Sequence, residues 1–162
     1  MFRAMTKSRW LPLGLFLFLA LLTGLIGGLA TATSVGTWYV ALHKPSWTPP
    51  NWLFGPAWTL LYVLMAVATW RVWRAGSPVE SRHTFRLYSA QLGLNALWSI
   101  LFFALRQPGW ALVDVLALWL VLMRLLVRYR YADRLALWLW APYVAWVTYA
   151  ALLNAAVWEL NR

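Results

Sequence analysis

Apolar residues run along this chain in five long stretches, at 11–33, 52–73, 85–105, 110–127 and 135–158. Each is long enough to carry a helix through the roughly 30 Å hydrocarbon core of a bilayer. The gaps at 71–86, 106–109 and 128–134 are polar, and Gly76-Ser77-Pro78 and Gln107-Pro108-Gly109 mark turns within two of them. Pro142 interrupts the fifth stretch, which membrane helices tolerate when neighbours satisfy the freed carbonyl. Ala30-Thr31-Ala32 looks like a cleavage site after a basic start, but the apolar run before it is too long for a usual signal peptide and predicts a retained helix. The pattern predicts an all-α fold: an integral membrane bundle of five transmembrane helices, in one domain over 1–162.

The gap at 34–51 is of another kind. Between positions 38 and 62 the chain places four tryptophans, four prolines and two tyrosines. Connectors between membrane helices are usually short and polar; this one is stiff and aromatic, built to pack on the mouth of its own bundle or on a flat apolar ligand.

Composition strengthens the membrane reading, since 63% of the residues are hydrophobic and only 11% charged, against roughly a quarter charged in soluble domains. The net charge of +10 sits in the gaps rather than in a patch, so it sets topology and does not point to nucleic acid. Eleven basic residues (Arg3, Lys7, Arg9, Arg71, Arg74, Arg82, Arg86, Arg124, Arg128, Arg130 and Arg134) fall on one side of a five-span chain, and three (Lys44, Arg106 and Arg162) on the other. The positive-inside rule then predicts a cytoplasmic N-terminus in a bacterial cytoplasmic-type membrane, with the aromatic loop outside.

The absence of cysteine excludes disulfides, thiolate metal sites and cysteine nucleophiles. The only histidines, His43 and His83, lie in different connectors on opposite sides, which argues against a metal site. No phosphate-binding glycine loop, Ser-His-Asp set or carboxylate pair is evident, so hydrolysis and ATP-driven transport are disfavoured. Polar and aromatic residues inside the spans are the remaining candidates. Gln91, Asn95 and Trp98 share a face of the third span, Trp110 and Asp114 a face of the fourth, Trp146, Ala150 and Leu153 a face of the fifth with Asn154 beside them, and Trp58 and Tyr62 a face of the second. These faces predict a cavity walled by indoles and oriented by amides. Taken alone, Asn95 and Asn154 read equally as interhelical hydrogen-bond partners, and Asp114 as a capping or paired carboxylate. Trp70, Trp73, Trp138, Trp140 and Trp158 read as an interfacial belt. Gly24 and Gly28 allow close helix approach, in a dimer or within the bundle.

The loop residues Trp38-Tyr39, Lys44-Pro45-Ser46-Trp47-Thr48-Pro49-Pro50 and Gly55-Pro56-Ala57-Trp58-Thr59 with Tyr62 resemble the tryptophan-rich sensory protein (TspO/MBR, translocator protein, peripheral benzodiazepine receptor) family. The likeness continues through Gln91, Asn95 and Trp98, then Arg106-Gln107 and Gly109-Trp110-Ala111-Leu112-Val113-Asp114, then Pro142-Tyr143 with Trp146, and Leu153-Asn154. It implies a five-helix membrane protein, commonly a homodimer, that binds protoporphyrin IX or haem-type tetrapyrroles and isoquinoline or benzodiazepine-type drugs beneath the first loop. It requires no cofactor, the tetrapyrrole being the ligand. The implied pocket residues are Trp38, Trp58, Tyr62, Asn95, Trp98, Trp110, Trp146, Ala150 and Leu153, with the ligand's propionates meeting Lys44 or His43. Sensing or transport is the implied role, and light-dependent porphyrin breakdown at Trp58 and Trp146 or a regulatory scaffold are the alternatives. The cholesterol motif of animal members needs a tyrosine that is missing at 153–158, which argues against a sterol role. The Gly-xxx-Gly that some members carry on the third helix reads Arg86 to Ala90 here, so that dimer interface does not carry over.

Overall fold

The computed structural model describes residues 10–162. Helix α1 is Leu11–Ala32, α2 is the four-residue Trp38–Ala41, α3 is Phe54–Ala75 after a 3₁₀ turn at Asn51–Leu53, and α4 is Pro78–Ser99 continued by a π segment at Ile100–Ala104; α5 is Pro108–Ala132 and α6 is Arg134–Leu160. All but α2 are long and apolar enough to cross a membrane. They close a ring in the order α1, α3, α6, α5, α4, with α3 also reaching across to α4. Arg3, Lys7 and Arg9, which enter the charge asymmetry, lie outside the described residues.

Helices α4, α5 and α6 outrun their apolar stretches, and polar side chains cap the starts of α4 and α6. Helix α4 starts at Pro78 because Ser77 and Glu80 form a capping box: the Ser77 N–H donates to Glu80 Oε2 at 2.7 Å and the Glu80 N–H to Ser77 Oγ at 3.4 Å. Between α5 and α6 only Asp133 leaves the helical conformation. Its Oδ1 accepts the N–H groups of Leu135 and Ala136 at 2.8 and 3.0 Å, and its Oδ2 meets Arg71 Nη2 at 2.8 Å. Burial works against that charge, but the Ala136 N–H and the Arg71 guanidinium outweigh it and hold the carboxyl below its ordinary range. At the other end Arg106 takes a positive φ of 55°, the tight reversal that lets Pro108 begin α5.

Packing divides the bundle into a filled half and an open half. Away from the aromatic loop, Phe16, Tyr88, Tyr129, Trp140 and Tyr143 are fully buried and meet edge to face, with Tyr88 Oη donating to the Phe16 carbonyl at 3.0 Å. The belt reading is corrected here. Trp140 is wholly buried, and Trp70 and Trp73 are buried, because they lie on inward faces; Trp138 and Trp158 keep exposed surface. Towards the loop, α1 presents Gly24, Gly27 and Gly28 and the core gives way to empty space.

Candidate functional site

A cavity of about 740 Å³ lies at the loop end between α1, α3 and α4, within the 300–1,000 Å³ usual for small-molecule sites. A second lobe of about 30 Å³ continues it towards α6, room for about two waters. Tyr39, Phe54, Trp58, Trp98 and Phe103 border both lobes, so aromatic rings form the junction. Trp58 lies at its centre, stacked on Tyr62 with centroids 5.5 Å apart and edge to face with Trp146 at 6.3 Å. Trp146, Ala150 and Leu153 line the smaller lobe, Tyr62 the larger.

Behind this wall runs a chain of buried hydrogen bonds. Tyr62 Oη donates to Asn95 Oδ1 at 2.8 Å, Asn95 Nδ2 to Tyr143 Oη at 3.2 Å, and Tyr143 Oη to Gln91 Oε1 at 2.8 Å. Separately, Trp98 Nε1 donates to Asn154 Oδ1 at 3.0 Å, and Asn154 Nδ2 to the Pro108 carbonyl at 2.8 Å. The second group fixes the Trp98 indole, and the first fixes the Tyr62 ring. Each joins different helices, so wall geometry is tied to helix packing.

Three sequence-based assignments are corrected. Asn95 borders neither lobe, because both ends of its amide are spent on Tyr62 and Tyr143. Trp110 is 66% exposed on the outer face of α5, where Ala111 turns inward instead. Trp38 packs edge to face on Phe102 at 5.8 Å, and Tyr39 takes the position facing the cavity. Asp114 also lies outside both lobes, buried, its Oδ2 without a hydrogen-bond partner among the described residues. Sequence reading missed Tyr39, Phe54 and Phe103. Tyr39 and Phe54 stood in the aromatic stretch, but Phe103 reaches the wall only through the π segment, whose extra residue per turn shifts the face of α4.

Glycine makes the room. A Cβ on Gly24 would sit 2.7 Å from Tyr62 Cε2, whereas one on Gly28 would meet nothing within 4 Å among the described residues. Gly24 is therefore a packing position within the bundle, and Gly28 faces open space. Gly24→Val is expected to push the Tyr62 ring off Asn95 and cost about 2 kcal/mol, lowering the melting temperature by about 4–8 °C. Gly28→Ala should melt at or slightly above the wild-type temperature. Equal melting of the two variants would contradict this assignment.

The loop is fastened over the smaller lobe by α6. The His43 N–H donates to Asn161 Oδ1 at 3.0 Å, and Asn161 Nδ2 donates back to the His43 carbonyl at 2.8 Å. Tyr149 Oη donates to the Trp47 carbonyl at 2.8 Å, with the rings edge to face. Lys44 turns back on α2: its Nζ donates to the Tyr39 carbonyl at 2.6 Å and lies 4.7 Å from the Tyr39 ring centre. That corrects its expected place at the cavity rim, since the last carbonyls of α2 attract the cation. Burial, with Tyr149 adding to it, raises the pKa of the Tyr39 hydroxyl, so it stays protonated. Asn161→Ala should release the loop and speed amide exchange at 43–48 by about fivefold, the equivalent of about 1 kcal/mol. Hydrogen exchange read by mass spectrometry measures it, and unchanged protection there would show that the clamp does not hold the loop.

The chain is 46% identical over 138 residues to the tryptophan-rich protein TspO of Archaeoglobus fulgidus, covering 85% of this chain and 89% of that one. It is 36% identical over 155 residues to the translocator protein of Bos taurus, covering 94% and 92%. It is 38% identical over 125 residues to the tryptophan-rich sensory protein of Cereibacter sphaeroides, covering 76% and 77%. Residues 16–159 match the TspO/MBR family as a whole. With five membrane-crossing helices and an aromatic-walled cavity under its first loop, this integral membrane protein belongs to the TspO/MBR family.

Proposed function

We propose that the protein binds a tetrapyrrole of the protoporphyrin IX or haem type in the two-lobed cavity, as a membrane sensor or transporter. The observation that carries this reading is the aromatic junction. Trp58, Trp98, Phe54 and Phe103 border both lobes, so a flat macrocycle set there contacts ring faces and edges along its length. Burial of its apolar surface contributes roughly 25 cal/mol per Å². Each lobe is lined by uncharged side chains, so the propionates stay at the mouth in water, by Asn51 and Trp52. The smaller lobe, which Trp146 borders, must widen to admit part of the ring. Isoquinoline or benzodiazepine-type molecules suit the same junction on the same physical grounds.

Protoporphyrin IX at about a hundred times its Kd should stabilise the detergent-solubilised protein by about 2.7 kcal/mol, a rise in melting temperature of about 5–10 °C. No ligand-dependent shift at saturating concentration would instead favour the scaffold reading. The 6.3 Å contact between Trp58 and Trp146 favours a second reading, light-dependent porphyrin breakdown. Illumination with bound protoporphyrin should then bleach it faster in wild type than in Trp58→Phe/Trp146→Phe, and equal rates would remove that reading. The charge asymmetry supports a cytoplasmic N-terminus in a bacterial cytoplasmic membrane, and the family supports a homodimer.

A further inference from the structure

The larger lobe has an open, apolar side on α1. That side carries Gly24 and Gly27, which pack on Tyr62 and Ser99, and Gly28, which is open. Leu21 and Leu25 at its margin are 49% and 59% exposed, and Thr59 on α3 is exposed as well. These residues lie in membrane-crossing segments, so the lobe opens sideways between α1 and α3 onto the bilayer.

The polar groups of the wall are turned away from its contents. Thr31 Oγ1 donates to the Gly27 carbonyl at 2.8 Å and Thr59 Oγ1 to the Gly55 carbonyl at 2.9 Å. Ser99 Oγ donates to the Asn95 carbonyl at 3.4 Å, and Tyr62 Oη to Asn95. The wall thus presents methyl, methylene and aryl surface, and a charge placed there would lie uncompensated in a low dielectric. At the loop end of the lobe, Asn51 and Trp52 are exposed, and the Asn51 amide and the Trp52 indole N–H are the polar groups there.

We propose that the larger lobe is a site for an uncharged single-chain amphiphile drawn from the bilayer, its chain along Gly24, Gly27 and Gly28 and its polar end at Asn51 and Trp52. The proposal does not depend on tetrapyrrole binding. Where a tetrapyrrole enters this lobe, the two ligands compete for it.

The test uses the full chain in phosphatidylcholine liposomes without tetrapyrrole. The probe is a long-chain alcohol with a photoreactive diazirine in its chain, and the corresponding fatty carboxylate is its charged counterpart. Labelling by the alcohol should saturate, be displaced by unlabelled alcohol and map to 24–32 and 51–59. The ionised carboxylate should label those segments at least about tenfold less, since its charge resists leaving water. Gly28→Phe and Gly55→Leu place side chains where a Cβ meets nothing within 4 Å, and as helical glycines they gain helix propensity on replacement. Either plug should abolish the saturable labelling while the melting temperature is kept. Unsaturable labelling spread over all five membrane helices, equal labelling by the carboxylate, or full labelling in a folded plug variant would each overturn the proposal. The wild-type competition and carboxylate arms decide it even if both variants misfold.

Discussion

Trp58→Ala should weaken protoporphyrin IX binding by roughly thirtyfold, about 2 kcal/mol. Trp58 stands at the junction of the two lobes. It borders both lobes, stacks on Tyr62 and meets Trp146 and Tyr143 edge to face. Removing it takes away an aromatic surface for the macrocycle and merges the lobes into an unstructured space. Trp58→Phe keeps a ring and should lose less, on the order of 1 kcal/mol. Trp110→Ala should leave affinity unchanged, because that indole faces outward from α5. Isothermal or fluorescence titration of the three variants checks the ranking, and a Trp110 effect as large as that of Trp58 would contradict the placement of the site.

A loss of stability as large as that of Gly24→Val is expected from Asn95→Leu. The change strands the Tyr62 hydroxyl and takes one of two partners from Tyr143, both buried. Interhelical hydrogen bonds in membranes contribute about 0.6–1.7 kcal/mol each, so losing two costs about 2 kcal/mol and lowers the melting temperature by about 4–8 °C. The cost should shrink in a Tyr62→Phe background, where one of the stranded groups is already gone. Thermal unfolding in detergent measures both, and additive losses would mean that Asn95 and Tyr62 are not coupled. Ligand affinity should fall only as far as the Tyr62 ring moves, because Asn95 stands behind the wall.

The five spans were legible because the bilayer permits few backbone solutions, and helix-length apolar runs declare themselves. Their ends were less so: Ser77 with Glu80, and Asp133, extend helices into polar sequence by capping rather than by hydrophobicity. Along the cavity wall, the lining positions of Trp58, Trp146, Ala150 and Leu153 lie on faces that helical spacing and family resemblance single out. Spacing says which residues share a face, but not which way that face turns. Trp110 and Asn95 show the difference, one turned outward and the other absorbed by its own hydrogen bonds. Phe103 was hidden for a sharper reason, since the π segment breaks the period on which the reading relies. Nor does spacing reveal empty space: that Gly24 packs on Tyr62 while Gly28 faces the cavity needs coordinates.

The most direct measurement is a titration of intrinsic tryptophan fluorescence with protoporphyrin IX, in the dark, for wild type and Trp58→Phe/Trp146→Phe. Binding at the aromatic junction predicts saturable quenching at one ligand per chain in wild type and an affinity at least about tenfold lower in the double variant. Unsaturable quenching, or the same affinity in both proteins, would contradict a tetrapyrrole site between Trp58 and Trp146.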